Sequence, residues 1–157
     1  MNNDTNNSTT NTNNISDDTI KLLRECDAGI KMGIEGIDEV LNNVTEHKLK
    51  EILQKSRNKH DALQNEALKL LEEYHDEGKD PNPMAKGMSW MKTNMKMMMN
   101  DSDHTVADLI VDGCNMGVKS LYRYMNQYKD ANEKAKKLAK DVIKEEEKLA
   151  EDMREWL

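Results

Sequence analysis

A chain of 157 residues is long enough for one domain with a packed core and too short to expect two. Charged residues make up 34% and hydrophobic residues 36%, aromatics only 4%, with two prolines and no phenylalanine; this balance favours helix over strand and predicts an all-α protein. The net charge of -7 argues against nucleic acid as the principal partner, because phosphate binding needs a concentrated basic face.

Residues 1–16, with seven asparagines and four threonines, hold too little apolar surface to repay ordering and are expected to form a disordered tail. Ser16 is a candidate N-cap, and Asp17 and Asp18 suit the positive end of a helix over 17–43. Its apolar stripe reads Ile20, Leu23, Asp27, Ile30, Ile34, Ile37, Leu41, Val44, in steps of three and four, with one aspartate inside it. Thr45 is a candidate cap for a second helix over 46–76, whose stripe is Leu49, Leu53, Ser56, His60, Leu63, Ala67, Leu70, Tyr74, before Gly78 as a stop. A histidine interrupts that stripe. Asp80-Pro-Asn-Pro83 then makes a turn into a helix over 84–99 that holds seven of the twelve methionines. Two further helices are expected over 103–128 and 131–156, the second capped by an aspartate version of the capping box at Asp130 and Glu133.

The chain also repeats itself. Ala28-Gly-Ile-Lys-Met-Gly-Ile-Glu-Gly-Ile37 aligns with Asp112-Gly-Cys-Asn-Met-Gly-Val-Lys-Ser-Leu121, sharing Gly-x-x-Met-Gly, and His60-Asp-Ala-Leu63 falls on Glu146-Glu-Lys-Leu149. Each half reads as a helical hairpin, and the glycines predict a close seam between the first and third long helices, offsetting about 1 kcal/mol lost at each.

Two hairpins joined by a long crossover, with polar residues set into the stripes, resemble the ferritin-like superfamily. The chain is similar to a bacterial family of ferritin-like bundles of unknown function, on the acid-containing first helix, the segment Pro83-Met-Ala-Lys-Gly-Met-Ser-Trp-Met-Lys and Asp112-Gly-Cys opening the second repeat. The resemblance implies a ferritin-like four-helix bundle of residues 17–157, built from two repeated hairpins, with a short Met-rich crossover helix. Ferritin-like metal proteins draw Glu-x-x-His from two of their helices. Here the corresponding stretches read Arg57-Asn-Lys-His60 and Ile143-Lys-Glu-Glu146, so neither motif is complete.

A smaller polar set remains on the inward stripes. Asp27, His60 and Glu146, with Asp112 from the third long helix, are the candidate metal ligands, and an imidazole with carboxylates suits iron, manganese or zinc. The competing reading is a buried histidine satisfied by a carboxylate without metal. Cys26 and Cys114 lie near the same level; they lack CxxC spacing and fit free thiols in a reducing compartment. The N-terminus lacks the basic and apolar regions of a signal peptide, and nowhere do eighteen apolar residues run together, so a soluble cytoplasmic protein is expected.

Met84, Met88, Met91, Met95 and Met98 share one helix face, beside Trp90, Lys86, Lys92 and Lys96 and no acid. This composition suits an interaction surface, whereas the spacing suits a crossover in which pliable methionine fills gaps in the bundle. No Ser-His-Asp pattern or phosphate-binding loop is present and no catalytic residue is assigned. The expected function is a non-catalytic helical domain that self-associates or binds a protein partner, not nucleic acid or a membrane surface. The alternative is a metal-binding protein with a reduced ferritin-like site in redox or metal handling.

Overall fold

The computed structural model describes residues 16–79 and 102–157. Among these residues lie α1 (Asp17–Leu41), α2 (His47–Glu73), α3 (Asp103–Gln127) and α4 (Glu133–Asp152), followed by a 3-10 turn at Met153–Trp156, and no strand. Residues 1–15 of the tail expected over 1–16, and the methionine helix expected over 84–99, lie outside the described residues. None of the described helices is long and apolar enough to cross a membrane.

Periodicity sets which faces turn inward. In α2 the whole predicted stripe from Leu49 to Leu70 is buried, His60 and Ser56 included. In α1 the stripe is rotated: Leu22, Leu23, Cys26, Ile30, Ile37 and Val40 form the core, while Ile20, Ile34 and Leu41 are only half-buried. The reason is that α1 packs against α2, α3 and α4, so it must bury a band wider than one seam.

Helix ends depart from the sequence reading. Thr45 does not cap α2; its N–H (2.8 Å) and hydroxyl (2.7 Å), with the Glu46 N–H (3.0 Å), donate to the Asp103 carboxylate of α3. Burial pushes that carboxyl up, but these three bonds outweigh it and hold it below the ordinary range. Asn132, not Asp130, caps α4, its side-chain oxygen accepting from the Ala135 N–H at 2.9 Å. At the start of α1 Ser16 caps through its carbonyl, which accepts from the Thr19 N–H at 2.8 Å. The end of α2 is made by His75 rather than Gly78. With φ 55 His75 takes the left-handed position, and the Asp76 N–H returns to Leu71 O and the His75 N–H to Glu72 O, the paired bonds of a Schellman motif.

Contacts between ends fix the topology. At one end, the base, Asn132 donates its N–H to Thr19 Oγ1 (2.9 Å) and its side-chain amide to the Tyr74 hydroxyl (2.9 Å). At the other end, the top, Asp103 holds Thr45, and Trp156 bonds Glu46 through its indole N–H and His104 through its carbonyl. Thus α1 and α4 run from base to top, and α2 and α3 from top to base. Around the bundle α1 adjoins α2 and α3, α4 adjoins the same two, and α2 and α3 lie across a diagonal. Lys79 and Ser102 therefore sit at opposite ends, and residues 80–101 join them.

The core divides into two apolar clusters. One, toward the base, contains Leu22, Leu23, Leu63, Leu71, Leu138 and Ile143; the other, toward the top, contains Val40, Leu49, Leu53, Ile110, Leu149 and Met153. The buried polar side chains Ser56, His60 and Glu146 occupy the level between them.

Candidate functional site

His60 follows Leu53 and precedes Leu63 on α2, and Glu146 lies between Ile143 and Leu149 on α4, so both enter the bundle where the two clusters part. The imidazole is fully buried. Its Nδ1 lies 2.8 Å from the Ser56 carbonyl oxygen and its Nε2 lies 3.0 Å from Glu146 Oε1. A carbonyl can only accept, so Nδ1 carries a proton and donates. Burial pushes the imidazole pKa down, but the Glu146 hydrogen bond and charge, the Ser56 carbonyl and the Glu145 charge together raise it above the ordinary 6.5. An imidazolium donating from both nitrogens satisfies the ring completely.

The surroundings extend this polar layer. The Ser56 hydroxyl donates to Glu145 Oε1 at 2.8 Å, and the buried Cys114 of α3 lies near enough to Glu146 to feel its charge. Two glycines make the room. A methyl group on Gly33 would stand 2.8 Å from His60 Cδ2 and 2.9 Å from Nε2, whereas one on Gly117 would meet Glu146 carbons at 3.7 and 3.8 Å. The expected glycine seam between α1 and α3 is corrected by this geometry. Among the described residues nothing lies within 4 Å of a methyl group on Gly29 or Gly113, while Gly33 and Gly117 accommodate side chains from α2 and α4.

Asp27 does not join His60. Its Oδ2 accepts from Lys31 Nζ (2.8 Å) and from the Lys79 N–H (3.0 Å), and it stands against Gly78, whose φ of +85° brings the backbone close. Its Oδ1 is buried with no hydrogen-bond partner among the described residues. Counting residues from the α1–α2 turn places Asp27 and His60 level, but side chains lean toward the N-terminus of their own helix. In an antiparallel pair they lean apart, and the His60 ring meets Gly33, six residues or about 9 Å beyond Asp27. Asp27 instead anchors the turn after α2, together with the Lys79–Glu25 ion pair at 2.6 Å and the Arg24–Asp76 pair. Asp112 is exposed on α3.

These placements decide the chemistry available. Of the four candidate ligands only His60 and Glu146 meet, and His60 Nδ1 is committed to Ser56. Arg57, where a ferritin-like carboxylate would stand, pairs with Asp38 at 2.6 Å and Asp61 at 2.5 Å. Among the described residues no group of three or more His, Cys, Asp or Glu side chains is placed to hold a metal ion. The donor set therefore does not fit a ferritin-like iron, manganese or zinc centre. Burial, followed by the Glu25 and Asp27 charges, pushes the Cys26 thiol up to about 12. Cys114 is pushed up strongly by burial and then by Glu146, so neither sulfur is a thiolate nucleophile at neutral pH. His47 is exposed near Glu51 at 3.6 Å, and His104 donates to the Trp156 carbonyl.

Ser56, Glu145, Gly33 and Gly117 were not assigned to the site from sequence. Ser56 carried a signal, a small polar residue one turn before His60 on the same stripe. The candidate surface of Met84, Met88, Trp90, Met91, Met95 and Met98 lies outside the described residues. No protein-family model matches this chain, and no curated protein or solved structure matches it either.

Proposed function

We propose that this chain is a ferritin-like helical bundle that works by binding, through self-association or a protein partner, and that its central polar pair is structural. One observation carries the reading: the fully buried His60 ring has a protein partner at each nitrogen, the Ser56 carbonyl oxygen at 2.8 Å and Glu146 Oε1 at 3.0 Å, so the pair is satisfied inside the bundle by the protein itself. The ferritin-like assignment is supported by the order of helix directions and by a connection that joins opposite ends of the bundle. Binding is supported by large apolar side chains left on the surface, Met32, Leu68, Met116, Tyr122 and Leu157 among the described residues.

Anaerobic calorimetric titration with iron(II), manganese(II) and zinc(II), beside light scattering over a concentration series, tests this reading. We expect no saturable metal binding and a mass that grows with concentration or with an added partner. Saturable binding by the wild type that disappears in His60→Ala would overturn it in favour of the metal-handling alternative.

A further inference from the structure

Charge on the outer surface of α3 is sorted along its length. Asp112, Met116, Lys119 and Arg123 follow at spacings of four, three and four, so they share one stripe, and all four are exposed. Because α3 runs from top to base, Asp112 stands about 6 Å above Met116, and Lys119 and Arg123 stand about 4.5 and about 10.5 Å below it. Met116, 49% exposed, is a large apolar side chain at the point where the sign of the charge changes.

The neighbouring helix presents an apolar side chain at the same level. Methyl groups on Gly33 and Gly117 would both meet Glu146 Oε1, at 3.5 and 3.9 Å, so these glycines lie level, and with them Met32 and Met116, the residues that precede them. Burial, and then the Glu25 charge, push the Tyr124 phenol up, which sets α1 beside α3 toward the base as well. Met32 is 44% exposed, and above it on α1 stands the exposed Glu35. The space beside Gly29 and Gly113 lets a second surface approach the two methionines closely.

We propose that this face joins two copies of the chain about a two-fold axis running across α1 and α3, with Met32 on Met32, Met116 on Met116, and Asp112 of each copy facing Lys119 and Arg123 of the other. Two identical chains associate through the same patch on each, and the axis can run in two ways. With the axis across the helices, α3 of one copy lies on α3 of the other reversed end to end, so the acidic part of each stripe meets the basic part of its mate. An axis along the bundle instead lays α1 on α3 with levels matched and sets Glu35 against Asp112 of the other copy, a like-charge contact that costs affinity. Charge order therefore selects the first arrangement. Methionine at the centre with charged pairs at the rim is the usual anatomy of a protein interface, and methionine adapts its shape to an identical neighbour. This rests on the binding reading and deepens it, naming a second copy as the occupant and this face as the surface.

Sedimentation equilibrium of the full chain over a concentration series tests the assignment with two charge-reversed variants, Asp112→Lys and the double variant Lys119→Glu with Arg123→Glu. All three positions are exposed, and circular dichroism checks that helix content is retained. The wild type is expected to dimerise. Each variant alone should dimerise about tenfold more weakly or worse, because like charges then meet in both halves of the interface. An equimolar mixture of the two variants should recover wild-type association, since each reversed stripe then faces its complement. A wild type that stays monomeric throughout would overturn the proposal together with self-association itself. A wild type that dimerises, with both variants and their mixture unaffected, would overturn this surface alone and leave self-association standing. Weak dimers of both variants with no recovery in the mixture would overturn the end-to-end reversed arrangement.

Discussion

Replacing Gly33 and Gly117 by alanine separates packing around the polar pair from helix propensity. Either change gains about 1 kcal/mol by removing a glycine from a helix interior. At Gly117 that gain should survive, because the new methyl would stand 3.7 Å from the nearest Glu146 atom, an ordinary contact. At Gly33 the methyl would stand 2.8 Å from His60 Cδ2, where carbon atoms settle at about 3.5–4.0 Å. The ring cannot yield freely, being fully buried with Nδ1 on the Ser56 carbonyl and Nε2 on Glu146. Overpacking costs about 1–3 kcal/mol, and displacing the ring weakens a charged hydrogen bond worth about 1.5–3 kcal/mol. The net expectation for Gly33→Ala is a loss of about 2–4 kcal/mol, against a gain of about 1 kcal/mol for Gly117→Ala. Thermal unfolding should show the two alanines on opposite sides of the wild type, at about 2–4 °C per kcal/mol for a chain of this size. Repeating Gly33→Ala in a His60→Ala background should remove most of its cost, since the clashing neighbour is gone. If Gly33→Ala raises the midpoint as Gly117→Ala does, the His60 ring does not lie against Gly33 and the account of the site fails.

Other consequences follow from the same geometry. The His60 pKa is raised by folding, so the stability it contributes is fully present below the ordinary 6.5 and is lost as pH rises through the raised value. The stability gap between wild type and His60→Asn in urea should narrow along a series upward from 6.5, and a constant gap would show that the ring is neutral throughout. Asp27→Ala should cost about 2–3 kcal/mol by stripping the Lys79 N–H of its acceptor and removing the carboxylate that Lys31 bonds at 2.8 Å. It should speed hydrogen exchange at the Lys79 amide, and unchanged exchange there would refute the anchoring role. His75→Gly should stabilise by about 1 kcal/mol, because His75 holds a left-handed conformation that only glycine adopts without strain; an unaltered urea midpoint would count against that backbone.

Sequence by itself determined the helical class and most of the inward faces, because both depend on local propensity and a period of 3.6 residues. The α2 stripe was legible residue by residue, including the two polar members Ser56 and His60. The meeting of His60 with Glu146 was foreshadowed too, by the alignment of His60-Asp-Ala-Leu63 with Glu146-Glu-Lys-Leu149. Tertiary structure alone decided which polar groups share a space. Asp27 and His60 count as level along the hairpin, yet their side chains lean in opposite directions, and the Asp27 carboxylate belongs to a turn more than fifty positions downstream. Helix termini were equally non-local: Asp103 takes the Thr45 hydroxyl that was read as a cap, and a histidine occupies the left-handed position assigned to a glycine. Glycine spacing on α1 and α3 suggested a helix–helix seam, but glycine records only that something approaches closely. Whether that is a backbone or the imidazole of a third helix depends on side-chain reach across the bundle, which periodicity along one helix does not encode.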